Sequence, residues 1–326
     1  MSESINLKLD EIKERVLHRF ENLLVDEVEN FSLETPTESK INFCIKENDY
    51  LDRTLFFKQI NPGEYVIFPQ ALMEILAIGC IVLSGASPKT SIIFYAGISN
   101  FKKYKSLSLN EKGSGQTTLS AVKAGFISSK ALIKNQSDDL ITDAKIMAYI
   151  QSIEPNQAPT DSKPEKPKKK IEILPENCNE SVIKNTDYKK ESMYMVNSIE
   201  HISEQSVMGS YIFPASHELT KGHFPGNPVF MGILQWLCLE DTLLGLLQIL
   251  EKRNELTGNK WTITGSGTVC KEDGTITTEI KNFVIDAVRH PKYFSLDTIE
   301  TKKVTFKDIV RPEEPLKIII TDFILS

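Results

Sequence analysis

Cysteine, excess positive charge and long apolar runs are scarce in this chain of 326 residues, and each scarcity excludes a class of protein. The 5 cysteines show no CxxC pair and no metal-type spacing, so we expect neither disulfides nor a metal. The longest apolar run, residues 71–83, contains Glu74 and is shorter than the roughly 20 residues that cross a bilayer. The net charge of −6 argues against bulk binding to nucleic acid.

The remaining composition is that of an ordinary globular protein, 40% hydrophobic and 25% charged, and the length suits two domains. The first 20 residues mix charged and apolar side chains and show no continuous apolar segment of the signal-peptide type. We therefore expect a cytoplasmic protein without a membrane span.

A stretch rich in proline and lysine divides the chain. Residues 152–190 include the run SKPEKPKKK and few large apolar side chains, which is typical of a solvated, extended linker. The flanking pieces, residues 1–151 and 191–326, show the same order of elements: strand-like segments, an apolar helix, then further strands. This order predicts a diverged tandem repeat.

The most informative string is HFPGNPVFMG, residues 223–232, which precedes the apolar run ILQWLCLEDTLLGLLQIL. Proline and glycine stiffen the loop that carries His223, and nine residues later Gly232 opens the helix. A titratable base is thus held near the free N–H groups of a helix N-terminus. This arrangement suits acid–base chemistry on a carbonyl compound.

This string resembles the HFPGxPVMPG motif of the hotdog-fold 3-hydroxyacyl-[acyl-carrier-protein] dehydratases, with Met231 in place of the last proline. The resemblance implies that His223 is the catalytic base and that the Gly232 amide binds the thioester carbonyl. It also implies an aspartate or glutamate fourteen residues after the histidine as the acid, but Leu237 occupies that position.

The resemblance extends to other segments of both halves. They are LLVDEV from residue 23, FYAGISNFKKY after the first apolar helix, and TIETKKVTFKDIVRPEEPLKI from residue 298. The fold that they imply is α+β, with two tandem hotdog domains packed as a pseudo-dimer. Each domain would be a long central helix wrapped by a curved antiparallel sheet.

The first apolar helix contains the second informative residue, because Glu74 is the only charged side chain from Tyr65 to Pro88. A carboxyl on such a helix is either a functional group or one that faces solvent or caps a polar group. The string FPQALMEILA resembles the family's MPGVLxxEAxAQ, with Pro69 in the place of the proline and Glu74 five residues on instead of six. The family builds its site across two hotdogs, so the resemblance implies one composite site of His223 and Glu74. Glu240 and Asp241 are the alternative acids.

The remaining candidates surround this pair. Phe224, Phe230 and Trp236 would line an acyl tunnel, or else belong to the core, and Pro225 and Gly226 belong to the substrate loop. The other histidines, His18, His201 and His290, are interpreted as structural, and His217 as a solvent-exposed loop residue. Acyl carrier proteins are acidic, so docking of one would use basic residues. The candidates are Lys102, Lys103, Lys105, Lys302, Lys303, Lys307 and Arg311. The alternative is that these residues belong to solvated strand faces.

The leading hypothesis is that the protein dehydrates 3-hydroxyacyl thioesters to 2-enoyl thioesters in fatty acid, polyunsaturated fatty acid or polyketide-like synthesis, without a cofactor. The partner would be an acyl carrier protein or another acyl thioester, and further homo-oligomers are possible under this hypothesis. A non-catalytic acyl-binding scaffold and a hotdog thioesterase are the alternatives.

Overall fold

The computed structural model describes residues 5–31, 37–85, 90–152 and 168–326. Within these ranges two long helices form where the sequence is continuously apolar, and each is 15 residues or longer. The α-helices are α1 (Leu9–Lys13), α2 (Pro69–Leu83) and α3 (Gly232–Lys252). Short 3₁₀ turns cover Phe20–Asn22, Arg53–Phe56, Glu191–Met193 and Glu218–Lys221.

Strands make up most of the rest. The first half contains β1 (Ile5–Lys8), β2 (Glu27–Phe31), β3 (Glu38–Cys44), β4 (Phe57–Asn61), β5 (Glu64–Ile67), β6 (Ser91–Lys103), β7 (Lys112–Lys123), β8 (Phe126–Asn135) and β9 (Leu140–Ser152). The second half contains β10 (Glu180–Ser181), β11 (Ser198–Ile202), β12 (Ser206–Ile212), β13 (Lys260–Lys271), β14 (Ile276–Arg289), β15 (Phe294–Phe306) and β16 (Pro315–Leu325).

Fourteen of these strands form one antiparallel sheet in the order β1-β2-β3-β7-β8-β9-β6-β15-β14-β13-β16-β12-β11-β10, and β4 pairs with β5 alone. Helix α2 packs against β3, β7, β8 and β9, and helix α3 against β11 to β16. Each half is therefore a hotdog, a long helix lying in a curved antiparallel sheet. This confirms the predicted fold of two tandem hotdog domains.

The two halves join through β6 and β15, which pair antiparallel with Thr301 opposite Phe101 and Val304 opposite Ile98. This pairing closes two sheet edges that would otherwise expose unpaired backbone groups. It also brings α2 and α3 into contact across the junction. The halves are thus arranged as the two subunits of a dimer would be.

The chain passes through the two halves in different orders. In the first half β6 follows α2 directly and takes the junction position, and β7 to β9 come afterwards. In the second half β13 and β14 come first, and β15 at the junction is only the third strand after α3. The halves therefore share a spatial arrangement but not a connectivity, which the repeat in the sequence did not reveal.

Helix α3 is long and apolar enough to cross a membrane by composition alone, but 89% of its most apolar window is buried inside the protein. Leucine side chains on several of its faces are almost fully buried, including Leu237 at 1% exposure and Leu239 at 0%. A central helix surrounded by sheet requires this pattern, so α3 belongs to the core.

The predicted linker only partly resembles a tether. Residues 153–167 lie outside the described residues, but residues 168–190 pack on the second half. The Ile171 N–H donates to the Gly274 carbonyl at 2.9 Å, β10 pairs with β11, and Tyr188 and Lys189 are each only 2% exposed. Val182 and Tyr188 are buried and Ile171, Ile173 and Leu174 are partly buried, although Ile183 is exposed, so this part is not a solvated spacer.

Candidate active site

Two imidazoles and one carboxyl form a buried cluster where the two halves meet. Side-chain nitrogen and oxygen atoms of His18, Glu74 and His223 lie within 4.8 Å of one another. The three residues are 4%, 4% and 9% exposed. Glu74 comes from α2 of the first half and His223 from the loop before α3 of the second half. The structure therefore brings together the two residues paired by the sequence analysis and adds His18.

The loop that carries His223 closes on itself and sets the tautomer of the ring. The Val229 N–H donates to the His223 carbonyl at 2.8 Å, and the Val229 carbonyl lies 3.0 Å from His223 Nδ1. Because a carbonyl only accepts, Nδ1 carries a hydrogen and Nε2 of the neutral ring has a free lone pair. Phe224 stacks on the imidazole with ring centroids 4.0 Å apart, which holds its plane. His223 is thus a base with its lone pair on Nε2.

Glu74 receives its hydrogen bond from the third member of the cluster. His18 Nε2 lies 2.8 Å from Glu74 Oε1, and the His18 ring meets the edges of His223 and Phe224 at centroid distances of 5.3 and 5.2 Å. His18 stands in no sequence motif, and for that reason a structural role is expected from the sequence alone. Its position is instead in direct contact with both predicted site residues.

Burial and mutual charge determine the protonation of the cluster. Desolvation lowers the pKa of His223 to about 4, with repulsion from His18 acting in the same direction. Desolvation alone would raise the pKa of Glu74, but the hydrogen bond to His18, together with the electrostatic interaction with the two imidazoles, outweighs it and lowers the pKa. Near pH 7, His223 is therefore neutral and Glu74 ionised.

Glu74 and Leu237 occupy equivalent positions in the two halves. Helix α2 begins at Pro69 and α3 at Gly232, so Glu74 and Leu237 are each the sixth residue of their helices. Pro69 therefore holds in α2 the position that Gly232 holds in α3, and Glu74 and Leu237 each follow five residues later.

Gly232 is the first residue of α3, where the helix N–H groups have no intrahelical partner. A Cβ at this position would lie 2.8 Å from two ring atoms of Phe306, closer than real Cβ atoms approach. Glycine is therefore required by the packing of Phe306 on the helix start.

We expect Gly232→Ala to destabilise the protein by about 1–3 kcal/mol, because overpacking at a tight contact displaces either the helix start or the Phe306 ring. Urea unfolding of the purified variant measures this loss. The double variant Gly232→Ala/Phe306→Leu provides room for the methyl group and should recover part of it. An unchanged unfolding free energy in the single variant would contradict the packing described here.

Glu240 and Asp241, the alternative acids, form buried ion pairs away from the cluster. Glu240 accepts hydrogen bonds from Lys58 and Gln70 at 2.9 Å and from Thr298. Asp241 pairs with Lys189 and accepts the Met195 N–H at 2.6 Å. Both carboxylates are about 1% exposed and fully engaged, so their geometry is that of structural groups that tie α3 to neighbouring segments.

The other predicted substrate-binding residues differ in exposure. Pro225 and Gly226 are exposed at the loop tip, and Phe224 is half-buried against His223 and His18. Phe230 is buried against Phe213, with centroids 4.7 Å apart. Trp236 is fully buried with its edge on Phe101, and its Nε1 has no hydrogen-bond partner among the described residues.

One further histidine and two of the basic residues differ in burial and in hydrogen-bond partners. His217, predicted to be exposed, is buried. Its Nδ1 accepts the Leu219 N–H at the start of a 3₁₀ turn, and its Nε2 lies 2.8 Å from the Ser192 carbonyl. Lys103, a suggested docking residue, is 6% exposed and paired with Asp297, so it is not available to a partner. Arg311 is exposed and bonds Asn227 of the His223 loop at 2.7 Å.

The cluster also has the donor set of a transition-metal site, since two imidazoles and a carboxylate suit zinc or iron. Ligands of a tetrahedral zinc ion lie about 3.3 Å apart. His18 and Glu74 are closer, at 2.8 Å, which is a hydrogen-bond distance with a proton between the atoms. The arrangement is therefore that of an acid–base cluster, and a metal would need His18 and Glu74 to separate.

The fold and the cluster together define a double-hotdog protein with one buried His/Glu group at the junction of its halves. No family model matches the sequence, and no curated protein matches it. The chain is similar to the dehydratase domain from the CurK module of the curacin polyketide synthase, at 10% identity and a TM-score of 0.43, over 96% of this chain and 98% of that one.

Two shorter structures resemble part of the chain. The dehydratase heterocomplex ApeI:P from Xenorhabdus doucetiae is 15% identical, with a TM-score of 0.35, over 43% of this chain and 90% of that one. A hypothetical thioesterase with coenzyme A from Streptococcus pneumoniae is 9% identical, with a TM-score of 0.29, over 38% of this chain and 84% of that one.

Proposed function

We propose that the protein removes water from a 3-hydroxyacyl thioester to give the 2-enoyl thioester. The observation that carries this proposal is the neutral imidazole of His223, with its Nε2 lone pair free, beside the carboxylate of Glu74 in a nearly closed site. The α-proton of a thioester is weakly acidic, and a neutral base held out of water can remove it. The adjacent carboxylate would serve the leaving β-hydroxyl.

The N-terminus of α3 supports the same reaction. Negative charge develops on the thioester oxygen as the α-proton leaves, and a helix N-terminal amide stabilises such charge. Gly232 would donate its N–H there, because it is the first residue of α3 and its N–H has no partner within the helix. Phe224 would border the substrate at His223, with Pro225 and Gly226 at the entrance and Phe230 and Trp236 along the acyl chain.

An acyl carrier protein or another acyl thioester would present the substrate. Arg311 supports a docking site beside the loop, since it is exposed and hydrogen-bonded to Asn227 in the same loop as His223. A carrier protein is acidic, and a guanidinium fits both carboxylate and phosphate groups. Docking at Arg311 would direct the thioester towards the opening formed by Pro225 and Gly226.

The test is turnover of 3-hydroxyacyl thioesters of several chain lengths, on coenzyme A and on acyl carrier protein, with products identified by mass spectrometry. We expect wild-type protein to form enoyl thioesters and Glu74→Gln to lose about 10²–10⁴-fold in rate, because the carboxylate is lost at nearly constant volume. Glu191→Gln, an exposed change with a 70% exposed side chain, is the matched control.

Other outcomes identify the alternatives. Full rate in Glu74→Gln contradicts the composite site. Release of free thiol would show a thioesterase, and binding of acyl chains without turnover would show a scaffold. The assay is repeated after dialysis against EDTA, where we expect no change; loss of activity that zinc restores would show a metal-dependent reaction at the His18, Glu74 and His223 cluster.

A further inference from the structure

We propose that His18 and Glu74 act as one proton-carrying pair, in which His18 holds the proton that Glu74 delivers to the leaving hydroxyl group. This inference rests on the proposed function and deepens it, because it assigns the source of the proton. His18 acts through Glu74 and is therefore a positioning residue that also stores a proton.

The segment that carries His18 docks on the residue next to the catalytic base. The Arg19 N–H donates to the Gly222 carbonyl at 3.1 Å, and Asn22 Nδ2 donates to the Leu219 carbonyl at 3.2 Å. A Cβ on Gly222 would lie 2.2 Å from the Arg19 carbonyl oxygen, so only glycine allows this approach. The position of His18 is thus specified relative to His223 by direct contacts between the two chain segments.

The guanidinium of Arg19 stiffens the same segment from within. Its Nη1 donates to the carbonyls of Val16 and His18, both at 2.7 Å, and its Nη2 donates to the Lys13 carbonyl at 2.9 Å. Three backbone carbonyls of a turn without regular structure are therefore held by one planar cation. This turn is built to hold the His18 ring at a constant place.

Charge balance indicates what His18 carries. Facing the pair are the ring of His223 from its loop, the phenol of Tyr95 from β6 and, through the His18 carbonyl, the guanidinium of Arg19. His223 and Tyr95 are neutral near pH 7, since burial lowers the pKa of the first and raises that of the second. The Arg19 guanidinium bonds the His18 carbonyl, whereas the Glu74 carboxyl bonds His18 Nε2 at 2.8 Å. A buried carboxylate without a cation in direct contact is costly, so we place the compensating proton on His18.

An ionised Glu74 has no proton of its own to give, which makes the pair necessary. In the proposed step His223 Nε2 takes the α-proton, the C–H electron pair becomes the Cα=Cβ bond, and the Cβ–O bond breaks. His18 passes its Nε2 proton to Glu74, and the carboxyl passes a proton to the departing oxygen, which leaves as water. His223 ends protonated and His18 neutral, and one proton returns from the first to the second before the next turnover.

The first test does not depend on turnover. Nuclear magnetic resonance of the full chain with ¹⁵N-labelled histidine should show both ring nitrogens of His18 protonated at pH 7, with the signal assigned by its loss in His18→Gln. In Glu74→Gln the His18 ring should lose one proton at that pH. A neutral His18 ring in the wild-type protein would overturn the proposal.

The second test separates proton delivery from support of the fold. His18→Gln keeps an N–H donor near Glu74 but has no dissociable proton, so dehydration should slow by about 10²–10⁴-fold. A 3-chloroacyl thioester loses chloride, which needs no proton, and His18→Gln should process it at close to the wild-type rate. His223→Gln, which lacks the base, should be slow on both substrates.

The outcomes distinguish this inference from the proposed function. Equal slowing of His18→Gln on the hydroxy and chloro substrates would show that His18 only supports the structure and would overturn the inference. Full activity of His18→Gln on the hydroxy substrate would overturn it as well. Wild-type protein that leaves every thioester unchanged would refute the proposed function, and proton delivery with it, whatever the resonance result.

Discussion

Replacing His223 with glutamine is expected to slow dehydration by about 10²–10⁴-fold, because the step loses its general base. The glutamine side chain fills a similar volume and can still donate towards the Val229 carbonyl, which accepts from His223 Nδ1 at 3.0 Å. The fold should therefore survive, and the loss should appear in the rate and not in the amount of folded protein. Steady-state kinetics with circular dichroism on the same sample measures both.

The pH dependence gives this prediction a second signature. Because the pKa of His223 is lowered to about 4, the base stays neutral far below pH 6.5, and kcat/KM should fall only as pH approaches about 4. The unfolded chain binds a proton at this histidine between pH 6.5 and 4 that the folded protein does not. The free energy of unfolding is therefore unaffected by this histidine above pH 6.5 and decreases as pH falls from 6.5 towards 4. In His223→Gln this part of the decrease should be absent.

A matched histidine provides the control. His201 lies on β11, towards the far end of the sheet order, and bonds Pro175 and Ser206. We expect His201→Gln to keep the wild-type rate and pH profile. A His223→Gln protein that is folded and retains the full rate would show that another group removes the α-proton.

Replacing Glu240 with leucine is expected to lower the free energy of unfolding by about 3–5 kcal/mol, because it removes the carboxylate that Lys58 bonds and leaves the buried ammonium with the more distant Asp297 carboxyl, 3.6 Å away. Lys58 is 0% exposed and donates to Glu240 at 2.9 Å, and Glu240 also ties Gln70 of α2 and Thr298 of β15 to α3. This carboxylate therefore connects the two halves at one buried point. Urea unfolding at pH 7 measures the loss.

A double variant tests the reason given. Lys58→Met together with Glu240→Leu removes both charges, and a well-packed apolar pair can be as stable as a buried ion pair. We expect the double variant to regain most of the stability lost in Glu240→Leu. A double variant as unstable as the single one would attribute the loss to packing or to the Gln70 and Thr298 bonds instead.

The same variants bear on which carboxyl is the acid. Glu240 is bonded to Lys58 and is not expected to act as the acid. If Glu74 is the acid, a folded Lys58→Met/Glu240→Leu protein should still convert substrate. Activity that disappears in a stable Lys58→Met/Glu240→Leu protein would return Glu240 to the list of catalytic candidates.

Much of the arrangement could be predicted from local sequence. Proline at position 69 stands at the first helical residue, where the backbone N–H needs no partner, and the start of α3 at Gly232 follows from the change from a Pro/Gly-rich loop to a continuous apolar run. The place of Glu74 on α2 is less predictable, because residue identity alone does not show that Pro69 is the first helical residue and Glu74 the sixth.

Other features depend on contacts between residues far apart in the chain. His18 stands in no motif, and it reaches Glu74, 56 residues away, only because residues 19 and 22 bond the backbone of residues 222 and 219. The order of β13 to β16 in the sheet cannot be predicted from local sequence either. Antiparallel strands of similar composition keep the same alternation of apolar and polar residues whichever neighbour they pair with.

The amino-acid sequence by itself determined the two helices, the loop that holds His223 and the presence of one carboxyl on an apolar helix, because these depend on neighbouring residues and their backbone preferences. Tertiary structure alone decided that His18 joins Glu74, that Glu240 is occupied by Lys58 and that β6 meets β15. Those choices depend on which distant groups remain to satisfy a buried charge or an open sheet edge once the halves pack together.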